Sequence, residues 1–111
     1  MKRVLLLSTF LIFTSIFFSC KKDLEACIES DKSSVSVGQS ITFTSCSTGE
    51  LSYWWEIKGP ATAPENDKAW SDRVFTNTFS VAGSYTVSLK IYSDFSFQGE
   101  VKETSTTFSV N

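Results

Sequence analysis

The segment Val81-Ala82-Gly83-Ser84-Tyr85-Thr86-Val87-Ser88-Leu89-Lys90-Ile91-Tyr92 alternates between apolar and polar side chains from Ser84 onward. A period of two is typical of a β-strand that has one buried face and one solvated face. Gly83 marks the start of this strand. We predict that the apolar face enters the core, with Tyr85, Val87, Leu89 and Ile91 pointing inward, and that the polar face meets water, with Ser84, Thr86, Ser88 and Lys90 pointing outward.

The composition argues against several classes of function. The chain has 111 residues, no histidine, three cysteines and a net charge of -2. Histidine is the commonest general base and the commonest zinc ligand, so we expect no metal site, no cofactor and no enzymatic activity. The acidic balance also disfavours nucleic acid as a partner. The length suggests a single small domain.

The first twenty residues read as an export signal. A basic start, Met1-Lys2-Arg3, precedes an uncharged apolar run from Val4 to Phe18, which ends at Ser19 and Cys20. The run is shorter than the roughly 20 residues that a membrane-spanning helix needs. It resembles a bacterial lipoprotein signal, which implies that residues 1–19 are removed and that Cys20 is lipidated. An ordinary secreted protein cut near Ser19 is the alternative.

The number of cysteines favours lipidation. In an oxidising compartment three cysteines would leave one thiol unpaired, unless Cys20 carries lipid. Cys27 and Cys46 then form one pair, and we predict a disulfide between them. Such a bond closes a loop of about 20 residues and contributes roughly 3 kcal/mol on the chain-entropy model. The lipid would hold the protein to the cell envelope, as an outer-membrane protein facing either the periplasm or the cell surface, with residues 20–26 as a short tether.

Further strands follow along the chain from Cys27. We expect two strands flanking a turn at Gly38-Gln39, with Ile41 and Phe43 inward. In the next strand, Leu51 to Lys58, alternation places Tyr53, Trp55 and Ile57 on one face and Ser52, Trp54 and Glu56 on the other. Residues 59–72 are irregular, with a short edge strand near Lys68 to Trp70, and Arg73 to Phe79 resumes strand character. Val101 to Val110 pairs back through a turn near Gln98-Gly99.

About seven strands at this spacing, with no helical period, indicate an antiparallel β-sandwich over residues 27–111. Three segments also resemble a PKD (polycystic kidney disease) domain, an immunoglobulin-like sandwich: Val37 to Phe43, Tyr53 to Ile57 and Phe79 to Leu89. The resemblance implies that Trp55 fills the middle of the sandwich. It also implies that Tyr85 forms a tyrosine corner, with its hydroxyl bonded back to the preceding connection.

Four aromatic residues lie away from the expected core, and they are candidates for ligand contact: Trp54, Trp70, Phe95 and Phe97. Exposed aromatic side chains often form binding surfaces, although each of these could simply pack against its neighbours. Four acidic residues, Glu65, Asp67, Asp72 and Asp94, could in principle gather around calcium, but their spacing matches no calcium loop.

Two functions remain open. The PKD resemblance implies a non-catalytic module that contacts carbohydrate or protein, and residues 59–72 together with the exposed aromatics would supply the contact. The alternative is a structural accessory subunit of a larger envelope complex, held through an uncovered sheet edge or hairpin.

Overall fold

A computed structural model describes residues 23–111, which form eight strands and one short 3-10 helix. The elements are β1 (Ile28–Ser30), β2 (Ser34–Val35), β3 (Ser40–Ser45), β4 (Ser52–Lys58), the 3-10 helix (Pro64–Asp67), β5 (Ala69–Trp70), β6 (Val74–Thr78), β7 (Gly83–Asp94) and β8 (Gln98–Val110). Within these residues no helix is long and apolar enough to span a membrane. The predicted signal peptide and Cys20 lie outside the described residues.

The strands form two sheets that pack as a sandwich. One sheet has three strands in the order β1-β3-β6, and the other has five in the order β2-β8-β7-β4-β5. The pairs are antiparallel except for β2 with β8, which is parallel. The predicted all-β, immunoglobulin-like sandwich is therefore confirmed.

β7 lies in the middle of the larger sheet and follows the predicted alternation. Tyr85, Val87, Leu89 and Ile91 are all completely buried. The twelve residues of β7 span roughly 35 Å, so this strand runs the whole length of the sandwich. We call the end at Gly83 the upper end and the end at Asp94 the lower end.

The β7–β8 hairpin turns earlier than the sequence suggested. Asp94 pairs with Gln98, so the turn consists of Phe95, Ser96 and Phe97 rather than Gln98-Gly99. Gly99 has a φ of +81° and lies where the register shifts between Tyr92 and Asp94. The glycine therefore marks a β-bulge in β8, a position that also needs a positive φ.

The segment before Gly38 does not form one hairpin with β3, as we had expected. β1 pairs with β3, with Ile28 opposite Ser45, whereas Val35 in β2 pairs with Val110 on the other sheet. The chain thus changes sheets between Ser30 and Ser34. This crossing buries Val35 in the core, which a single continuous hairpin could not do.

The core between the sheets is rich in aromatic rings. Phe43 contributes from the small sheet, and its ring lies 5.2 Å from that of Phe75 and 5.3 Å from that of Phe108. Trp55 is completely buried, and its Nε1 donates a 2.8 Å hydrogen bond to the carbonyl oxygen of Asp72. A buried indole N–H needs such a partner, so this bond fixes the loop after β5 against the core.

Tyr85 forms the tyrosine corner that the PKD resemblance implied. Its ring is completely buried, and its hydroxyl donates a 2.6 Å hydrogen bond to the carbonyl oxygen of Val81, on the β6–β7 connection. Burial, together with the negative charge of Glu65, raises the pKa of the Tyr85 hydroxyl above its ordinary value.

The Cys27–Cys46 disulfide is present and joins the ends of β1 and β3, with Cα atoms 4.9 Å apart. The amide of Cys46 also donates to the carbonyl oxygen of Cys27 at 3.0 Å. The bond lies within the three-stranded sheet, at its edge.

The packed part of the chain begins before Cys27. Leu24 belongs to the buried core, and Glu25 forms an antiparallel bridge with Thr48. Residues 23–26 are therefore part of the domain rather than of a free tether. In the sequence, Lys21 and Lys22 separate Asp23 from Cys20.

Candidate binding face

The side of the five-stranded sheet that points away from the core carries a set of polar and aromatic side chains that we call the outer face. Strand register sets its rows: Trp54 on β4 lies opposite Lys90 on β7, and Lys90 lies opposite Glu103 on β8. A shallow groove of about 160 Å³ runs across these rows, lined by Trp54, Glu56, Lys58, Ser88, Lys90 and Glu103.

Two contacts hold Trp54 in a fixed orientation at one end of the groove. Its Nε1 donates a 2.8 Å hydrogen bond to Oε1 of Glu56, two residues along the same strand. The ring of Phe97 meets the indole edge-on, with centroids 5.3 Å apart. The indole is half-buried, so part of it remains open to a ligand.

The hairpin tip reaches Trp54 because its backbone is unusual. Ser96 and Phe97 have φ values of +58° and +60°, which are uncommon for residues other than glycine. Two of the three turn residues thus lie in the left-handed region, where glycine, asparagine and aspartate are the usual residues. The hydroxyl of Ser52 donates to the carbonyl oxygen of Asp94 at 2.7 Å and accepts from the amide of Phe97 at 3.2 Å. β4 therefore holds the tip in place.

Phe97 also contacts Tyr92, with centroids 5.6 Å apart, so three rings form one group at the lower end of the outer face. Residues in sparsely populated backbone conformations are often found at binding sites, which makes this group a candidate.

The groove offers both hydrogen-bond donors and hydrogen-bond acceptors. Lys90 and Glu103 approach to 3.9 Å, and both side chains are about half exposed, so this pair contributes little to stability. The groups remain available to a ligand. Among residues 23–111 no cluster of three or more metal-binding side chains is found.

The structure brings together some of the predicted contact residues and separates others. Trp54 and Phe97 are in contact, and Phe95 lies beside them at the hairpin tip with 66% of its surface exposed. Trp70 does not join this group. It lies opposite Trp55 in the sheet, and its ring stacks on Phe75 at 4.4 Å, packed against the core.

The irregular segment, residues 59–72, contains both buried and exposed residues. Ala63 and Glu65 are buried, and the carboxylate of Glu65 accepts a 3.2 Å hydrogen bond from Asn77. The amide of Gly59 donates to the side chain of Asn66 at 2.8 Å, so the segment folds back on itself. It covers the upper end of the core, at the opposite end of β4 from Trp54 and Phe97.

The acidic residues considered for calcium are also dispersed. Glu65 is buried in the upper segment, while Asp94 lies in the lower hairpin. Their carboxylates belong to different parts of the sandwich.

The sequence did not identify five residues of the outer face as site candidates: Ser52, Glu56, Lys90, Tyr92 and Glu103. Strand alternation already placed Glu56 beside Trp54 and Lys90 on the wet face of β7. What the sequence lacked was the register between strands, which brings these side chains opposite one another.

Comparison with known proteins establishes the fold. No family model matches the sequence, and no curated protein is significantly similar to it. Among solved structures, the PKD1 domain of the Vibrio cholerae metalloprotease PrtV is 21% identical over 81% of this chain and 99% of that domain, with a TM-score of 0.60. The PKD1 domain of Vibrio anguillarum Epp is 23% identical over 81% of this chain and 95% of that domain, with a TM-score of 0.59.

A third similar structure comes from carbohydrate-binding modules of the β-sandwich superfamily, described as promiscuous in specificity. It is 14% identical over 81% of this chain, with a TM-score of 0.63, and this chain spans 35% of its length. The described part of the chain thus has the fold of a PKD domain.

Proposed function

We propose that this chain is a non-catalytic binding module, held in the bacterial cell envelope by lipid on Cys20, and that its outer face binds carbohydrate. The observation that carries the proposal is the fixed indole of Trp54 beside a groove that presents both carboxylates and ammonium groups. An aromatic ring can pack against the apolar face of a sugar, while neighbouring polar groups bind the hydroxyls.

The size of the groove indicates the kind of ligand. Pockets that enclose a small molecule are typically about 300 to 1,000 Å³, whereas this groove has about 160 Å³ and lies on an open sheet face. A surface of this kind suits a segment of a longer chain, in contact with one or two sugar rings, better than an isolated metabolite. The similar carbohydrate-binding structure supports the same class of ligand.

The location follows from the first twenty residues. A cleaved signal at residues 1–19 and lipid on Cys20 would place the domain at the surface of the outer membrane, on its periplasmic or external side. A cell-envelope polysaccharide is then the carbohydrate that the domain would meet. Mass spectrometry of the membrane-extracted protein tests this part directly, since acylation adds a defined mass to Cys20.

The binding test uses detergent-extracted, full-length lipoprotein passed over immobilised envelope polysaccharides. Trp54→Ala should lower retention at least about fivefold, because loss of a central aromatic contact commonly costs more than about 1 kcal/mol. Val74→Ala, at an exposed position on the other sheet, is the matched control and should bind normally. Equal retention of wild type and Trp54→Ala would contradict the proposal.

The alternative role as an accessory subunit is supported by one free edge of the larger sheet. β2 covers only Ser109 and Val110 of the 13-residue strand β8, so within the described residues the edge of β8 from Gln98 to Phe108 has no strand beside it and could pair with a partner. Native mass spectrometry of the extracted protein separates the two roles. A stoichiometric protein partner would favour the accessory subunit.

A further inference from the structure

Exposed apolar side chains are concentrated at the lower end of the sandwich. Of the six large hydrophobic residues that are exposed in the described chain, four lie where β7 turns into β8 or beside that turn: Leu51, Phe95, Phe97 and Val101. Leu51 is joined to this end by the hydrogen bond from its amide to the carbonyl oxygen of Tyr92, and Val101 pairs with Tyr92.

The apolar side chains at this end are open to solvent. Phe95, at the tip, is 66% exposed, and Leu51 and Val101 are 48% and 49% exposed. Single exposed hydrophobic residues are normal, but a group of them at one end of a small domain indicates a contact surface.

The described chain begins at the same end. The carbonyl oxygen of Asp23 accepts a hydrogen bond from the Thr48 hydroxyl at 3.1 Å. Asp23, Leu24 and Glu25 line one side of a cavity of about 600 Å³, whose other side includes Ser93, Glu100 and Lys102 of the hairpin. The N-terminal segment therefore leaves the domain beside the β7–β8 hairpin.

Chain length then limits the distance to the anchor. Cys20 precedes Asp23 by three residues, which reach about 10 Å when fully extended. A lipid on Cys20 must lie close to the lower end of the sandwich, so the membrane surface faces that end.

We infer that the hairpin tip is a second membrane contact, in which Phe95, with Leu51 and Val101 beside it, enters the interfacial region of the bilayer that holds the lipid of Cys20. Phenylalanine and aliphatic side chains can enter the boundary between headgroups and acyl chains, because burial of their apolar area there is favourable. The contact would fix the orientation of the domain. The outer face would then be roughly perpendicular to the membrane plane. Trp54 would lie close to the lipid surface, and Lys58 would lie farther from it.

This inference rests on the proposed lipid anchor, and the test separates the two. Phe95→Trp places an indole at the tip, and Val37→Trp places one at an exposed position at the upper end, where the amide of residue 37 bonds to Asn111. Both full-length lipoproteins are reconstituted into phosphatidylethanolamine–phosphatidylglycerol vesicles with brominated acyl chains, which quench indoles that reach them. The native tryptophans contribute the same background to both samples.

The Phe95→Trp protein should lose emission in brominated vesicles and show a blue-shifted maximum, whereas the Val37→Trp protein should do neither. Equal quenching of the two variants in acylated protein would overturn the membrane contact and leave the anchor intact. Absence of acyl mass on Cys20 would instead refute the anchor. Circular dichroism checks that each variant is folded. Both positions are exposed, so neither substitution should disturb the core.

Discussion

The ring of Phe97 lies edge-on against the indole of Trp54, with centroids 5.3 Å apart and ring planes at 84°. The contact joins β4 to the tip of the β7–β8 hairpin, where Phe97 has a φ of +60°. The residue that supports Trp54 therefore also has an uncommon backbone conformation. Aromatic pairs of this geometry contribute about 0.5 to 1.5 kcal/mol beyond their buried area.

Two substitutions in this turn should separate stability from binding. Ser96→Asn introduces a residue that tolerates the positive φ of position 96, so it should raise the free energy of unfolding by up to about 1 kcal/mol and leave binding unchanged.

Phe97→Gly relieves backbone strain at position 97 but removes the ring, so the two effects on the free energy of unfolding should nearly cancel. Its polysaccharide retention should fall, because Trp54 loses its support. Urea denaturation and the retention assay measure the two quantities, and normal retention by Phe97→Gly would show that the ring does not shape the site.

Alkaline pH should destabilise the domain through Tyr85. The folded state raises the pKa of this hydroxyl through burial and the charge of Glu65, so the folded protein holds the proton more tightly than the unfolded chain does. Stability is therefore complete below the ordinary tyrosine pKa of about 10 and declines as the pH rises above it. Tyr85→Phe should lose about 1 kcal/mol at neutral pH, from the missing bond to Val81, and show a shallower alkaline decline.

Tyr53→Phe is the control for this effect. Burial and the nearby charge of Glu50 also raise the pKa of Tyr53, but that side chain is only partly buried. Tyr53→Phe should therefore remove a smaller part of the alkaline decline than Tyr85→Phe does. An alkaline profile that is the same in wild type and Tyr85→Phe would contradict the assignment. Denaturant midpoints at a series of pH values provide the measurement.

Gly59 should be intolerant of a side chain for steric reasons alone. A Cβ at this position would overlap the ring of Tyr85, which is completely buried and held by its bond to Val81. Gly59→Ala should therefore cost about 1 to 3 kcal/mol, the usual range for overpacking. Gly38→Ala meets no atom within 4 Å, but its φ is +89°, so its cost is conformational and about 1 kcal/mol. Thermal unfolding should rank Gly59→Ala below Gly38→Ala, and the opposite order would show that the Tyr85 ring can move.

Loss of the disulfide should lower the free energy of unfolding but still allow the domain to fold. Replacing Cys27 and Cys46 by serine removes the closure of a loop of about 20 residues, for an expected loss near 3 kcal/mol. For a domain of this size that corresponds to a fall in melting temperature of roughly 12 to 24 °C. Reducing agent should lower the melting temperature of the wild type by the same amount and leave the double variant unchanged. A double variant as stable as the oxidised wild type would contradict this estimate.

The sequence alone was sufficient for most of the fold. The alternation from Ser84 to Ile91 identified the central strand and its buried face, because side chains in a strand point to opposite sides in turn. Trp55 and Tyr85 could be placed for the same reason, with the PKD resemblance supplying the tyrosine corner. The disulfide followed from the number of cysteines. All of these depend on local periodicity or on counting, which a linear sequence contains.

Register and sheet membership could be decided only in three dimensions. Alternation could not identify the residues that Trp54 and Trp70 contact on other strands. In the structure, β5 pairs with β4, and Trp70 stacks on Phe75. The hairpin tip places Phe97 against Trp54. β2 pairs with β8 rather than with β3, and in this position Val35 is buried in the core. These outcomes depend on contacts between residues far apart in the chain, whose energies no local pattern encodes.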